Sequence, residues 1–445
     1  MENSKVAFFD SATRTKVVKF HIIYTFVYKV LAIVLSYLLV PLTINYLNIE
    51  QYGIWMTLLS TLSWVGFFDI GLGHGLRNKL AEAVSMNDIR LAKTYVSTAF
   101  AAVTLIGLIF FLILILILPF ASWNKIFNTN SISNAELLKV IFIVGFSFLL
   151  NFVLSLSNSL YYAYQEASLP SLRNILQNLI ALIVIYFLIH YTSGSLFYLG
   201  ICYGLSMVFS NLSLIYFFFK NHLEVKPSIK YVDITRLSEI ASLGIKFFII
   251  QIAALVIFAT DNMIITQVLG PAEVTPYNVV FKLFSIITLA HGIMLAPLWS
   301  AYIDAYAKGD IQWIKNTLKK LNLLMIPIII AVFILIIFAR DIINIWVGPN
   351  IKYPNLLVVF MGVYTVISTW NNIYAYFING IGKVELQMYS AIVAGAINIP
   401  LSIWFAKSLE MGISGVILGT IVSLSLFAIL GPIQCCHIIN RRHKV

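Results

Sequence analysis

Apolar runs of about twenty residues recur from one end of this chain to the other, and nothing else in the sequence restricts its folding as severely. A hydrocarbon layer roughly 30 Å thick is crossed by about 20 helical residues. Inside that layer each backbone polar group needs a partner within the protein, a demand that a helix meets within its own segment. Only 11% of the residues are charged, 60% are hydrophobic and the mean hydropathy is +0.92, whereas soluble domains carry about a quarter charged residues. A soluble fold is therefore excluded. The segment Met1 to Lys19 is polar, and the first apolar run has span length with no small-residue cleavage site behind it. That pattern argues against a removable signal peptide.

Reading the runs between polar breaks predicts helices over 17–40, 51–72, 94–118, 138–162, 171–190 and 196–219. A second set follows over 243–267, 276–299, 321–339, 355–378, 386–406 and 412–437. With the N-terminus taken as cytoplasmic, twenty-two of the 29 lysines and arginines fall on that side. Lys125, Lys139, Arg340, Lys352 and Lys407 fall on the other, and Lys29 and Lys282 lie within spans. This asymmetry predicts an even number of spans with both termini cytoplasmic. It also accounts for the net charge of +11 without a nucleic-acid surface, because the basic residues follow topology and form no single face. Cys202, Cys435 and Cys436 all lie in apolar runs, and their spacing fits neither a disulfide framework nor a metal site.

The chain repeats itself. An offset of 222 residues places Leu47 on Leu269, Asp69 on His291, Glu82-Ala83 on Asp304-Ala305, Asp88 on Asp310 and Lys93 on Lys315. The expected plan is a six-helix bundle over 1–219, a cytoplasmic linker over 220–242 and a second six-helix bundle over 243–445. In the linker, Val232, Leu237, Ile240 and Ala241 suit a short helix on the membrane surface. Because each half has an even helix count, the repeats are parallel and should enclose a cavity at their interface, the arrangement of carriers.

One segment stands out from the apolar background, from Trp64 to Ala83 (WVGFFDIGLGHGLRNKLAEA), followed by Tyr95 to Ala99 (YVSTA). Gly71, Gly73 and Gly75 permit a tight bend and close packing at a helix end, and Arg77, Asn78 and Lys79 follow at once. Read from the residues, the stretch is either a structural turn or a substrate contact. It is no dinucleotide fingerprint, which needs a preceding strand. Gly380-Ile381-Gly382-Lys383 reads as a short turn. The Trp64–Ala83 segment resembles the signature of Wzx-type polysaccharide flippases, of the multidrug/oligosaccharidyl-lipid/polysaccharide exporter superfamily. Asp261, Gly270, Tyr277 and Lys282 resemble that group's seventh-to-eighth helix pattern. The resemblance implies a MATE-like all-α fold of about twelve transmembrane helices in the bacterial inner membrane. It implies a transporter and not an enzyme, one that moves undecaprenyl-pyrophosphate-linked oligosaccharide units from the cytoplasmic to the outer leaflet by alternating access. The expected partners are membrane lipids, a polysaccharide polymerase and a chain-length regulator, with no cofactor beyond a proton or sodium gradient.

Ionisable groups at span depth cost at least ~2.5 kcal/mol on insertion scales and should face a cavity or a partner. Lys29 and Lys282 are placed to offset the charge of a pyrophosphate along its route, with Arg173 and Lys246 near the cytoplasmic mouth for its capture. Asp261 and Lys282 are equally suited to pair with each other. Asp69 and His291 are candidates for taking up a coupling proton, or else for plain hydrogen bonding at helix ends. A cation-coupled multidrug antiporter of the same fold is the competing reading. It would centre on acidic residues in the first half, where Asp69 stands almost alone within the spans. A membrane glycosyltransferase would need catalytic acids beside a large loop, and no loop exceeds about thirty residues.

Overall fold

The computed structural model describes residues 11–67, 71–164, 166, 168–241, 245–296 and 298–442. Among them the structure is helical, with no strand. In chain order the helices are α1 Ser11–Tyr46, α2 Ile49–Ser63, α3 Leu72–Ser85, α4 Ile89–Ile117, α5 Trp123–Ile126, α6 Asn134–Leu154, α7 Leu156–Ala163, α8 Ser168–Tyr191 and α9 Leu196–Asn221. They continue with α10 Leu237–Ala241, α11 Ile245–Ala259, α12 Asp261–Val268, α13 Val274–Leu295, α14 Leu298–Ala307, α15 Ile311–Trp346, α16 Asn355–Gly380, α17 Glu385–Ile403 and α18 Ile413–Arg442. Among the described residues, 11 helical segments are long and apolar enough to cross a membrane. The expected second span is shorter. It is the 15-residue α2 continued by a 3-10 turn over Trp64–Phe67, and it starts in a capping box in which Asn48 Oδ1 accepts from the Gln51 amide at 2.7 Å. The chain is an all-α membrane protein, as its hydropathy predicts.

The internal repeat is written into the backbone. α1 ends at Tyr46 and α12 at Val268, α4 begins at Ile89 and α15 at Ile311, and each pair keeps the offset of the sequence matches. The turn before each of the latter two helices has one hydrogen-bond scheme. The Asn87 and Asp88 amides donate to the Val84 and Ala83 carbonyls, and those of Gly309 and Asp310 donate to Tyr306 and Ala305. Asn87 at φ 57° and Gly309 at φ 75° supply the left-handed residue that this Schellman closure requires. Asp88 and Asp310 then cap the next helix, each accepting an amide three residues on, from Leu91 at 2.9 Å and Trp313 at 3.0 Å.

The chain groups into two compact units. One gathers 1–46, 69–121 and 138–244; the other gathers 47–68, 122–137 and 245–445. The grouping departs from a simple division at the linker, since α2 and 122–137 belong with the C-terminal residues and 220–244 with the N-terminal ones. In the first unit α1 lies along α8, where Asn178 Nδ2 donates to the Ala32 carbonyl at 2.9 Å. The linker residues 222–241 are fastened to α3 and α4. Ser97 Oγ accepts from the Ser228 amide at 3.0 Å, Thr98 Oγ1 accepts from the Asp233 amide at 3.0 Å, and the Tyr95 hydroxyl donates to Glu239 at 2.6 Å. A short helix, α10 over Leu237–Ala241, stands in the linker; it leaves out Val232, and its Ile240 is buried.

In the second unit, Tyr302, Phe377, Leu295, Ile314 and Ile373 form a core between α13, α14, α15 and α16. α18 contains Pro432, which cannot donate to the Ala428 carbonyl one turn back. The Trp370 indole N–H takes that carbonyl at 3.0 Å. The seventh span is broken between α11 and α12 at Thr260, which sets Asp261 in the first turn of a half-helix.

Candidate functional site

In the first unit the glycine-rich segment divides its work. Gly71 caps α3 at φ 76°, a left-handed conformation suited to glycine. Gly75 meets the linker, and a Cβ there would overlap the Ile240 carbonyl. Gly73, His74 and Arg77 instead line a cavity of about 190 Å³, closed by Asn158, Ser159 and Tyr162 of α7. The turn and the cavity lining thus fall to different residues of one motif. The Arg77 guanidinium lies over the Tyr162 ring, 5.1 Å from its centroid, which orients the cation while leaving its N–H fork available. Asn158 Oδ1 is buried without a hydrogen-bond partner among the described residues, so the wall offers both a cation and an unused acceptor. Such a lining suits a ligand with phosphate oxygens and sugar hydroxyls. Asn78 is exposed.

In the second unit Asp261 is 5% exposed. Its carboxylate accepts from the Tyr277 hydroxyl at 2.5 Å and from Thr420 Oγ1 at 3.3 Å. Asn398 Nδ2 donates to Thr420 Oγ1 at 3.3 Å, and Asn278 Nδ2 donates to Asn262 Oδ1 at 2.8 Å. Asp261, Asn262, Tyr277, Asn278 and Thr420 line a cavity of about 40 Å³, room for one small occupant. The partners of Asp261 are neutral hydroxyls and not the ammonium of Lys282. Carboxylate, hydroxyl and amide groups thus converge on this cavity with no cationic side chain in its lining. Among the described residues no group of three or more His, Cys, Asp or Glu could hold a metal ion.

The other sequence candidates line neither of these cavities. Lys29 is half-buried on α1 with no acidic partner among the described residues, and Lys282 is half-buried on α13. Arg173 is half-buried on α8, where it donates to Asn174 Oδ1 and, at 3.4 Å, to Asn211 Oδ1; Asn211 in turn donates to Asn151 Oδ1 at 2.6 Å. That makes Arg173 part of a polar network joining α6, α8 and α9. His291 is 2% exposed, with both ring nitrogens unpartnered among the described residues. Asp69 and the side chain of Lys246 lie outside the described residues. Sequence reasoning passed over Asn158, Asn262, Asn278 and Thr420. Their signal is polarity inside apolar runs, which does not reveal which of them converge.

The family described as polysaccharide biosynthesis protein matches residues 19–303, more than half of the chain. A putative O-antigen export protein of Yersinia pseudotuberculosis is 22% identical over 410 residues, covering 89% of this chain and 90% of its own. A putative O-antigen transporter of Salmonella typhimurium is 24% identical over 398 residues, covering 87% and 89%. Among solved structures, an inward-facing multidrug resistance MATE family transporter of the MOP superfamily superposes with a TM-score of 0.77 at 15% identity, over 93% of this chain and 96% of that one. A MOP superfamily transporter from Pyrococcus furiosus superposes with a TM-score of 0.68 at 15% identity, over 96% and 97%. These structural likenesses carry the fold, and the family match carries the kinship. The chain belongs to the polysaccharide biosynthesis protein family and shares its fold with transporters of the MOP superfamily.

Proposed function

We propose that this protein flips a lipid-linked oligosaccharide, carried on undecaprenyl pyrophosphate, from the cytoplasmic to the outer leaflet of a bacterial inner membrane by alternating access. Membership in the polysaccharide biosynthesis protein family, with O-antigen transporters among its relatives, carries this reading. The Arg77 cavity supports it, because a guanidinium beside an unused acceptor and hydroxyls matches a phosphorylated glycan better than a hydrophobic drug. In this scheme Lys29, Lys282, Arg173 and Lys246 offset the pyrophosphate charge along its path, and both termini are cytoplasmic. Asp261 takes up the coupling proton or sodium ion in the second unit, with His291 and Asp69 as further titratable groups. A polysaccharide polymerase and a chain-length regulator receive the product.

The competing reading, a cation-coupled multidrug antiporter, draws on the likeness to multidrug transporters, which is one of fold. Deletion in the parent strain separates the two. Loss of surface glycan with build-up of lipid-linked units in the inner leaflet supports the flippase. Unchanged glycan with new sensitivity to dyes or drugs overturns it in favour of the antiporter.

A further inference from the structure

A further cavity of about 450 Å³ lies in the second unit between α15, α16 and α18, in neither of the sites above. Its wall changes character along its length. At one end stand Lys315 and Lys319, one helical turn apart on α15, facing Asn440 near the end of α18. Neither lysine has a carboxylate partner among the described residues, and no acidic residue lines the cavity. Also in the wall, Tyr374 donates to Asn322 Oδ1 at 3.1 Å. That bond leaves the Asn322 amide N–H groups as further donors. The remaining wall is apolar, with Leu318, Leu323 and Pro432.

Two features fix the shape of the cavity and its opening. Pro432 sits in the wall, and the carbonyl it leaves free is taken by Trp370, so this stretch of α18 is braced before any ligand arrives. Beyond Leu323, α15 carries an exposed apolar stripe through Ile326 and Ile330, 56%, 57% and 54% exposed, at the three- and four-residue spacing of one helix face. A cationic, donor-rich head therefore runs on into a hydrocarbon-facing track on a membrane-spanning helix. Basic pockets between transmembrane helices have this form where they take lipid head groups.

We infer that this groove is a site for an anionic phospholipid. Its phosphate sits between Lys315 and Lys319, and an acyl chain lies along Leu323, Ile326 and Ile330. The inference does not depend on what the protein transports.

The exposed Cys436 lines the groove, while Cys202 and Cys435 are buried, so maleimide labelling of the detergent-purified full chain reports occupancy at Cys436. Phosphatidylglycerol should slow the labelling severalfold, whereas phosphatidylcholine and millimolar inorganic phosphate should not. With about a fivefold loss per lysine, Lys315→Gln with Lys319→Gln should weaken that protection about 25-fold. The linker pair Lys226→Gln with Lys230→Gln should leave it intact. No protection by phosphatidylglycerol, or equal protection by phosphatidylcholine, overturns the proposal. Protection by inorganic phosphate alone assigns the site to a soluble anion and overturns the lipid. An equal loss in the linker variant reduces the effect to general surface charge and overturns it too. The wild-type arms decide the matter even where the lysine variant fails to fold.

Discussion

Replacing Gly75 with alanine should pull the linker off the first unit. The new Cβ would lie on the Ile240 carbonyl, a backbone atom that no rotamer change can move aside, so α10 must lift from α3. Lifting uncovers Ile240, 1% exposed in the native packing, and uncovering a side chain of that size costs about 1.5–3 kcal/mol. At about 1.4 kcal/mol per factor of ten, the detached population rises roughly 10- to 150-fold. Alanine also gains about 1 kcal/mol over glycine inside a helix, but that gain strengthens α3 alike with the linker on or off. Limited trypsin digestion of the purified protein reads the effect, since Lys226, Lys230 and Arg236 lie in the linker. At low protease the cutting rate follows the open population. Gly66→Ala is the control, because a Cβ there meets nothing within 4 Å. Parental cutting in Gly75→Ala, or equal acceleration in Gly66→Ala, refutes the reasoning.

Four further outcomes follow from the sites. Arg77→Ala should lower flipping roughly 10- to 100-fold by removing a charge-assisted contact, and Arg77→Lys should restore only part of it because the planar fork is gone; unchanged surface glycan in a complementation assay counts against the cavity. Asp261→Asn keeps an oxygen for Tyr277 and Thr420 but loses the charge, so transport into vesicles should stop responding to an imposed proton or sodium gradient; a retained response rules out coupling there. Lys29→Ala should flip more slowly than the parent, and parental activity would remove Lys29 from the path. The Tyr95 hydroxyl and the Arg236 guanidinium hold the Glu239 carboxyl below the usual range, so its contact contributes above the ordinary value near ~4.3 and is lost as pH falls through the lowered one. Melting temperature should therefore drop more steeply on acidification in the parent than in Glu239→Gln, and parallel curves refute this.

Much of the architecture is legible in the chain because span length and repeat register are local. The expected start of the fourth span at 138 lies within α6, and the matches of Asp88 with Asp310 mark two turns with the same hydrogen bonds. Less legible are the interruptions. The polar Thr260-Asp261-Asn262 is too short an interruption to separate from a continuous span, and the end of the ninth span at 339 falls well short of Trp346. Site composition is harder still. Asp261 stands out as a carboxylate among apolar residues, but Thr420 reaches it from 159 positions away. Only tertiary packing selects Thr420 from the many hydroxyls in these helices. Arg173 is engaged with Asn211, itself an ordinary-looking residue in α9.

The doubled turn lets one half of the molecule be laid against the other, and the two halves have specialised in opposite directions. At the repeat offset, Leu39, Val40, Trp55 and Met56 stand where Asp261, Asn262, Tyr277 and Asn278 stand. Likewise Leu295, Ala296 and Trp299 stand where Gly73, His74 and Arg77 do, and Gly380 replaces Asn158. Each copy carries mostly apolar residues at the positions where its twin lines a cavity with polar ones. Under the proposed function, a handful of such exchanges divides substrate binding and coupling between the copies of a repeated scaffold, and swapping a set of residues back would remove one of the two roles.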